Sequence, residues 1–176
     1  MKLYWHACAM KDGRPVFQDG TPVKIGKRYE IDGEPVMCKR GYHGCERAID
    51  MLIYAPGPWI SRRPLEGAIT EGYKSVGRAF VQQPGFDATE VLRTFARMCA
   101  LDVIHLWDAP EIVVRYLKTG DESIRDAAWD AARDAARAAG MAAGMAAVKS
   151  AAWAAGKDRQ NRRLTRMLLE AMRREG

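Results

Sequence analysis

Cys38, His43 and Cys45 stand close together in the chain, and His6 and Cys8 lie two apart near its start. Thiolate and imidazole are the ligands zinc prefers, and four of them converging would make a closed structural site. The spacing, however, contains no Cys-x2-Cys knuckle and no second pair, and Cys8 would have to be brought beside Cys38 by strand pairing. The simpler reading is small buried cysteines plus a histidine hydrogen-bonded in a turn, so no metal and no cofactor is expected. His43 and Cys45 are two apart and on a strand would point the same way, though a turn or helix start can break that, and no third group is placed to orient them. No Walker loop, Gly-x-Gly-x-x-Gly or His-Glu-x-x-His occurs. Asp102 and His105, three apart, read as an interior hydrogen-bonded pair. No catalytic residue is assigned, and the expectation is a protein that is not an enzyme.

The end of the chain carries a different signal. Leu164, Met167, Leu168, Ala171 and Met172 recur at the spacing of one helical face. Arg159, Arg162, Arg163, Arg166, Arg173 and Arg174 occupy much of the rest, and arginine suits bidentate contact with phosphate or carboxylate. The last twenty residues carry 7 basic and 3 acidic groups, whereas residues 1–56 carry 9 and 7, so the net charge of +6 is concentrated at this end. These arginines are the expected partner-binding residues. The plainer alternative is a docked stripe with solvated arginines helped by the helix dipole.

The elements that must position these groups divide at Pro84-Gly85. The sequence predicts an α+β chain: a small β-rich N-terminal domain with one helix over residues 1–84, short helices packing on it over 85–120, and an alanine-rich helical region with a basic end over 121–176. The C-terminal region is thus expected to be all-helical. Leu3 to Cys8 reads as a strand, and Arg28–Ile31 and Pro35–Cys38 read as a hairpin around Asp32-Gly33. Cys45–Tyr54 reads as a helix with Ala48, Ile49, Leu52 and Ile53 inward, stopped by Ala55-Pro56-Gly57-Pro58. Trp59–Ile69 and Ser75–Gln82 read as strands, the second joined through Glu71-Gly72. Asp87 reads as a helix cap, Pro110 as a first-turn proline, and Gly120-Asp121 as a stop followed by a new cap.

From Arg125 the chain has a four-residue rhythm through Trp129, Arg133, Arg137, Met141, Met145, Lys149 and Trp153. Of the 32 residues from Arg125 to Gly156, 16 are alanine, so a helix is predicted. A repeat of four overshoots the helical turn by about 40°, so Trp129 and Trp153 would point about 120° apart on a straight helix. Ala/Gly-rich surfaces of this kind could also pair two copies as a homodimer. No run of 18 apolar residues occurs, so no membrane span is expected. The N-terminus lacks an export-type apolar core, and the four cysteines are expected to be thiols in a cytoplasmic protein.

Val36–Cys45, with its Cys-x2-Gly-x-His core, followed by Ile49–Gly57 with its Ala-Pro-Gly stop, resembles a domain-of-unknown-function family of phages and prophages. Val103–Pro110 and the Ala/Trp/Arg tail are similar to segments in its members. The resemblance covers most of the chain and implies a mobile-element origin in a bacterial host cytoplasm, but no activity. A fainter likeness joins Leu3–Ala7 to the strand-borne histidine motif of ADP-ribosyltransferases, and Gly41-Tyr42-His43, before a helix ending in Tyr54-Ala55, to their second motif. That likeness implies an NAD cleft holding His6 and Tyr42, with Glu66 or Glu71 as the acidic partner. The favoured expectation is a non-enzymatic phage-type interaction protein, anti-CRISPR-like in sterically blocking a host protein or ribonucleoprotein defence complex, with nucleic-acid contact. The alternatives are an ADP-ribosyltransferase-like enzyme and a zinc-stabilised structural protein.

Overall fold

A computed structural model describes residues 2–140 and 150–175, the side chains of 136–140 and 150–155 excepted. Strand β1 (Leu3–Lys11) is its organising element, because Tyr4, Trp5, Ala7 and Cys8 are all buried and both faces of the strand are therefore covered. It pairs antiparallel with β5 (Trp59–Pro64), in a register that sets Tyr4 opposite Arg63, His6 opposite Ser61 and Cys8 opposite Trp59. Directly opposed residues share a face, so His6 and Arg63 point to the same side of the sheet. β2 (Arg14–Val16) extends one edge and β9 (Gly85–Asp87) the other, giving the order β2-β1-β5-β9.

Two smaller sheets surround this one. β3 (Arg28–Glu30) pairs with β8 (Ala79–Val81), and β7 (Lys74–Gly77) lies between β4 (Tyr42–Gly44) and β6 (Ile69–Glu71). The turn at Gly72 joins β6 to β7 as the sequence indicated. The Asp32-Gly33 hairpin does not form. Arg28–Glu30 pairs with Ala79–Val81 instead, because Tyr29 stacks on Phe80 (5.1 Å between centroids, 11° between planes). A long-range aromatic contact thus overrides a local turn signal. The segment read as one strand from Trp59 breaks after Pro64, and Ser75–Gln82 divides into β7 and β8.

β4 is held against β1 by reciprocal backbone hydrogen bonds between Trp5 and Cys45 (2.8 and 2.9 Å). Gly44 makes this approach feasible, since a Cβ there would lie 2.8 Å from the Tyr4 Cβ. The helix read over Cys45–Tyr54 is only α1 (Ala48–Met51). Ala48, Asp50 and Met51 are its buried residues, and Ile53 is 56% exposed, so the inward face differs from the one periodicity indicated.

α2 (Thr89–Asp102) begins where Asp87 Oδ1 accepts a hydrogen bond from the Thr89 N–H (2.9 Å). α3 (Glu111–Thr119) follows Pro110 and ends at Gly120, whose φ of 68° is the left-handed conformation a β-carbon disfavours. Asp121 then accepts from Ser123 N–H ahead of α4 (Arg125–Gly140). Asp102 and His105 are both exposed, so neither lies in the interior as expected. α5 (Ser150–Glu175) closes the described chain. Met141, Met145 and Lys149 lie outside the described residues, as do the side chains of Arg137 and Trp153, and with them the angle between the two tryptophans.

The N-terminal half is β-rich, but the expectation of an all-helical C-terminal half is corrected by these elements: the chain is mixed α/β. Gly85-Phe86-Asp87, placed in the helical part, is a strand that hydrogen-bonds to Trp59-Ile60-Ser61. The Pro-Gly pair that reads as a boundary leads into the sheet. Met1–Thr89 and Arg159–Gly176 form one compact unit, and Glu90–Asp158 form the other.

Candidate functional site

The first unit contains a cleft of about 820 Å³, lined among others by His6, Phe17, Tyr29, Tyr42, His43 and Arg63. β1 and β5 contribute His6 and Arg63, β4 contributes Tyr42 and His43, and the rings of Phe17 and Tyr29, 5.2 Å apart, add to the lining. Lys27, Tyr54 and Lys74 also line it, the Lys74 ammonium 4.1 Å from the centre of the Tyr54 ring.

Arg63 is the unusual member, being 1% exposed in a cleft without a paired carboxylate. Its guanidinium lies 3.8 Å from the centre of the Phe80 ring, and it donates to the His43 carbonyl (2.9 Å) and, at 3.5 Å, to Gln82 Oε1. Its Nε has no hydrogen-bond partner, and neither has His43 Nε2. Burial lowers the Arg63 pKa to about 10, so the group still carries its charge at neutral pH. Burial, with Arg63 nearby, pushes the His6 imidazole well below its ordinary value, and burial also lowers His43, with Lys74 and Arg63 adding to it. Both histidines are therefore neutral at pH 7. Asp19 is the one carboxylate among the described lining residues, and its pKa is held down by the Thr21 backbone N–H.

No protein-family model matches the chain, and neither a curated protein nor a solved structure shows significant similarity to it. The site's chemistry therefore rests on its own geometry.

The cysteines and histidines lie as follows among the described residues. His6 Nδ1 and Cys8 Sγ are 3.5 Å apart, Cys45 is buried, and Cys38 is exposed beside Lys74 Nζ (3.7 Å). No group of three potential ligands converges among the described residues. Burial pushes the Cys8 and Cys45 thiols up to about 11, which disfavours the thiolate needed for attack or ligation. His6 and Tyr42 do share the cleft, together with Tyr54. Glu66 instead pairs with Arg28 (2.6 and 2.9 Å), and Glu71 is exposed on β6; neither lines the cleft.

The second candidate surface is on the terminal helix. Leu164 and Leu168 are fully buried, and Asn161 Oδ1 accepts the Ile49 N–H (3.1 Å) in the first turn of α1, where Arg47 supplies no side-chain cap. At about 100° per residue, Arg159, Arg162, Arg166, Arg173 and Arg174 fall within an arc of about 120° that faces away from the two leucines. All five are exposed, and none has an acidic partner among the described residues; Arg163 is half-buried and engaged within the molecule. A groove of about 390 Å³ runs along this helix, lined by Asn161, Arg162, Thr165, Arg166, Leu169 and Arg173.

Sequence reasoning missed Arg63, Lys27, Lys74 and the aromatic lining. One signal was present: Arg62 and Arg63 are consecutive within a segment that reads as a strand, and a period of two must turn one of them away from the other.

Proposed function

We propose that the protein is a non-enzymatic interaction protein that binds an acidic, nucleic-acid-containing partner through the outward face of α5. The observation that carries this reading is the pairing of buried Leu164 and Leu168 with the opposite, unpaired arc of Arg159, Arg162, Arg166, Arg173 and Arg174. Docking by the leucines fixes the helix, so the arginines meet a partner with their backbone already ordered and the entropy cost of binding is reduced. From Arg159 to Arg174 the helix advances about 22 Å, long enough to meet several phosphates along one strand.

The setting this reading implies is a bacterial host cytoplasm, and the partner a host ribonucleoprotein such as a nucleic-acid-guided defence complex, blocked sterically. Among the described residues no helix is long and apolar enough to cross a membrane. Neither Glu66 nor Glu71 lines the cleft, so the acidic partner that an ADP-ribosyltransferase reading needs is not placed beside His6 and Tyr42.

Affinity capture from host lysate, with and without nuclease, tests the reading. Wild-type protein should retain a complex that nuclease releases, and Arg162→Ala/Arg166→Ala/Arg173→Ala should retain none while keeping its fold. Equal capture by the triple variant would refute it.

A further inference from the structure

The cleft and the terminal helix are separate surfaces, and the cleft poses a problem of its own. A guanidinium ion removed from water normally sits beside a carboxylate, because desolvating an unpaired charge is costly. Arg63 is 1% exposed, yet its hydrogen-bond acceptors are a backbone carbonyl and a neutral amide, and its Nε has none. A second unsatisfied buried nitrogen, His43 Nε2, belongs to the same lining. Native folds leave few such groups without a reason.

The lining carries three cations, Arg63, Lys27 and Lys74, against one carboxylate, Asp19. It therefore presents an excess of two positive charges at neutral pH, since the histidines there are neutral. A phosphate monoester near pH 7 carries a charge of about −1.5 to −2. A planar guanidinium is also the side chain best matched to phosphate oxygens.

The rest of the lining is aromatic. Phe17, Tyr29, Tyr42 and Tyr54 all contribute to it, and the lysines lie over rings: Lys27 Nζ is 4.9 Å from the Tyr29 centroid and Lys74 Nζ 4.1 Å from that of Tyr54. Aromatic faces stack on nucleobases without demanding a particular one. The volume of about 820 Å³ falls in the range of small-molecule sites.

We propose that this cleft is a binding site for a mononucleotide, with the phosphate taken by Arg63 and the base held among Tyr29, Tyr42 and Tyr54. The phosphate supplies the counter-ion that the protein itself does not provide. The two lysines at the tyrosine rings add charge attraction, and the neutral histidines add hydrogen bonding without needing to ionise. No bond is made or broken in this proposal. It is independent of the terminal arginines, whose substitution leaves the cleft untouched.

The test is calorimetric titration of the full chain with AMP, GMP, CMP and UMP, alongside adenosine and inorganic phosphate. At least one mononucleotide should saturate a single site, with its nucleoside and inorganic phosphate each binding about tenfold more weakly or worse. Arg63→Met, its fold checked by circular dichroism, should lose nucleotide binding. Should that variant fail to fold, Lys74→Ala/Tyr54→Ala keeps the question open to test: both side chains lie at the cleft, Tyr54 is exposed, and affinity should fall about fivefold or more. Absence of saturable binding by all four mononucleotides would overturn the proposal. So would a nucleoside binding as tightly as its monophosphate, or unchanged affinity in whichever folded variant is measured.

Discussion

The guanidinium carbon of Arg63 stands 3.8 Å from the centre of the Phe80 ring, and both side chains are almost wholly removed from solvent. Stacked there, the arginine acts as core packing as well as a charge. Its stem and planar head fill volume beneath Phe80, and deleting them opens a cavity. Arg63→Ala should cost about 3 kcal/mol of stability by this mechanism. Arg63→Met restores most of the volume and removes a desolvated ion, so it should cost about 1 kcal/mol or less. Urea denaturation of the two variants checks the order, and equal losses would mean that charge and not volume dominates at this position.

The neutral histidines of the cleft make stability depend on pH. His6 is pushed well below its ordinary value of 6.5 by burial, and Arg63 and His43 add to the effect. When a folded-state histidine has a depressed pKa, both states are neutral above pH 6.5. Below that value the unfolded chain takes up a proton that the folded chain refuses. Stability should therefore be full above pH 7 and decline as the pH falls through 6.5, by at most about 1.4 kcal/mol per pH unit from His6. His43 acts in the same direction. Thermal melts from pH 8 to pH 5 should show this decline, and His6→Gln should flatten it. A variant that keeps the full wild-type slope would locate the effect elsewhere.

Thiol reactivity should separate the cysteines. Cys8 and Cys45 are buried and their thiols are pushed up to about 11, whereas Cys38 is exposed. Only a thiolate attacks a disulfide reagent, so both access and ionisation protect the buried pair. A chromogenic disulfide reagent at pH 7.5 should titrate Cys38 first, and Cys38→Ser should remove that phase. Rapid labelling of Cys8 in the native protein would contradict its burial.

What the chain reveals in advance depends on how local the cause is. The Gly120-Asp121 stop and the Asp87 cap follow from residues one to three positions away, and each is found in place. The turn at Gly72 is local in the same way. The Asp32-Gly33 hairpin fails because the partner of Tyr29 is Phe80, a contact that no window along the chain contains. β9 escapes because Pro84-Gly85 can introduce a strand as well as end one. The cleft is harder still. His6 and Tyr42 are visible as candidate residues, but Arg63 becomes notable only once the register opposite Tyr4 buries it on the same face as His6.

The terminal helix separates stability from binding on one element. Asn161 Oδ1 takes the Ile49 N–H, an orphan donor at the start of a four-residue helix, and Leu168 is fully buried. Asn161→Ala should cost about 1 kcal/mol, the worth of a helix cap, and Leu168→Ala about 2–5 kcal/mol for a core leucine. Arg166 is exposed on the opposite side, so Arg166→Ala should alter stability by less than about 0.5 kcal/mol. Denaturation curves of the three variants, read beside their capture of the partner, give a decisive comparison. Leu168→Ala should lower stability first and binding only as the fold is lost, whereas Arg166→Ala should weaken binding in a protein as stable as wild type. If Arg166→Ala instead destabilises the fold as much as Leu168→Ala, the guanidinium is a structural partner, and the outward face of this helix is not what meets another molecule.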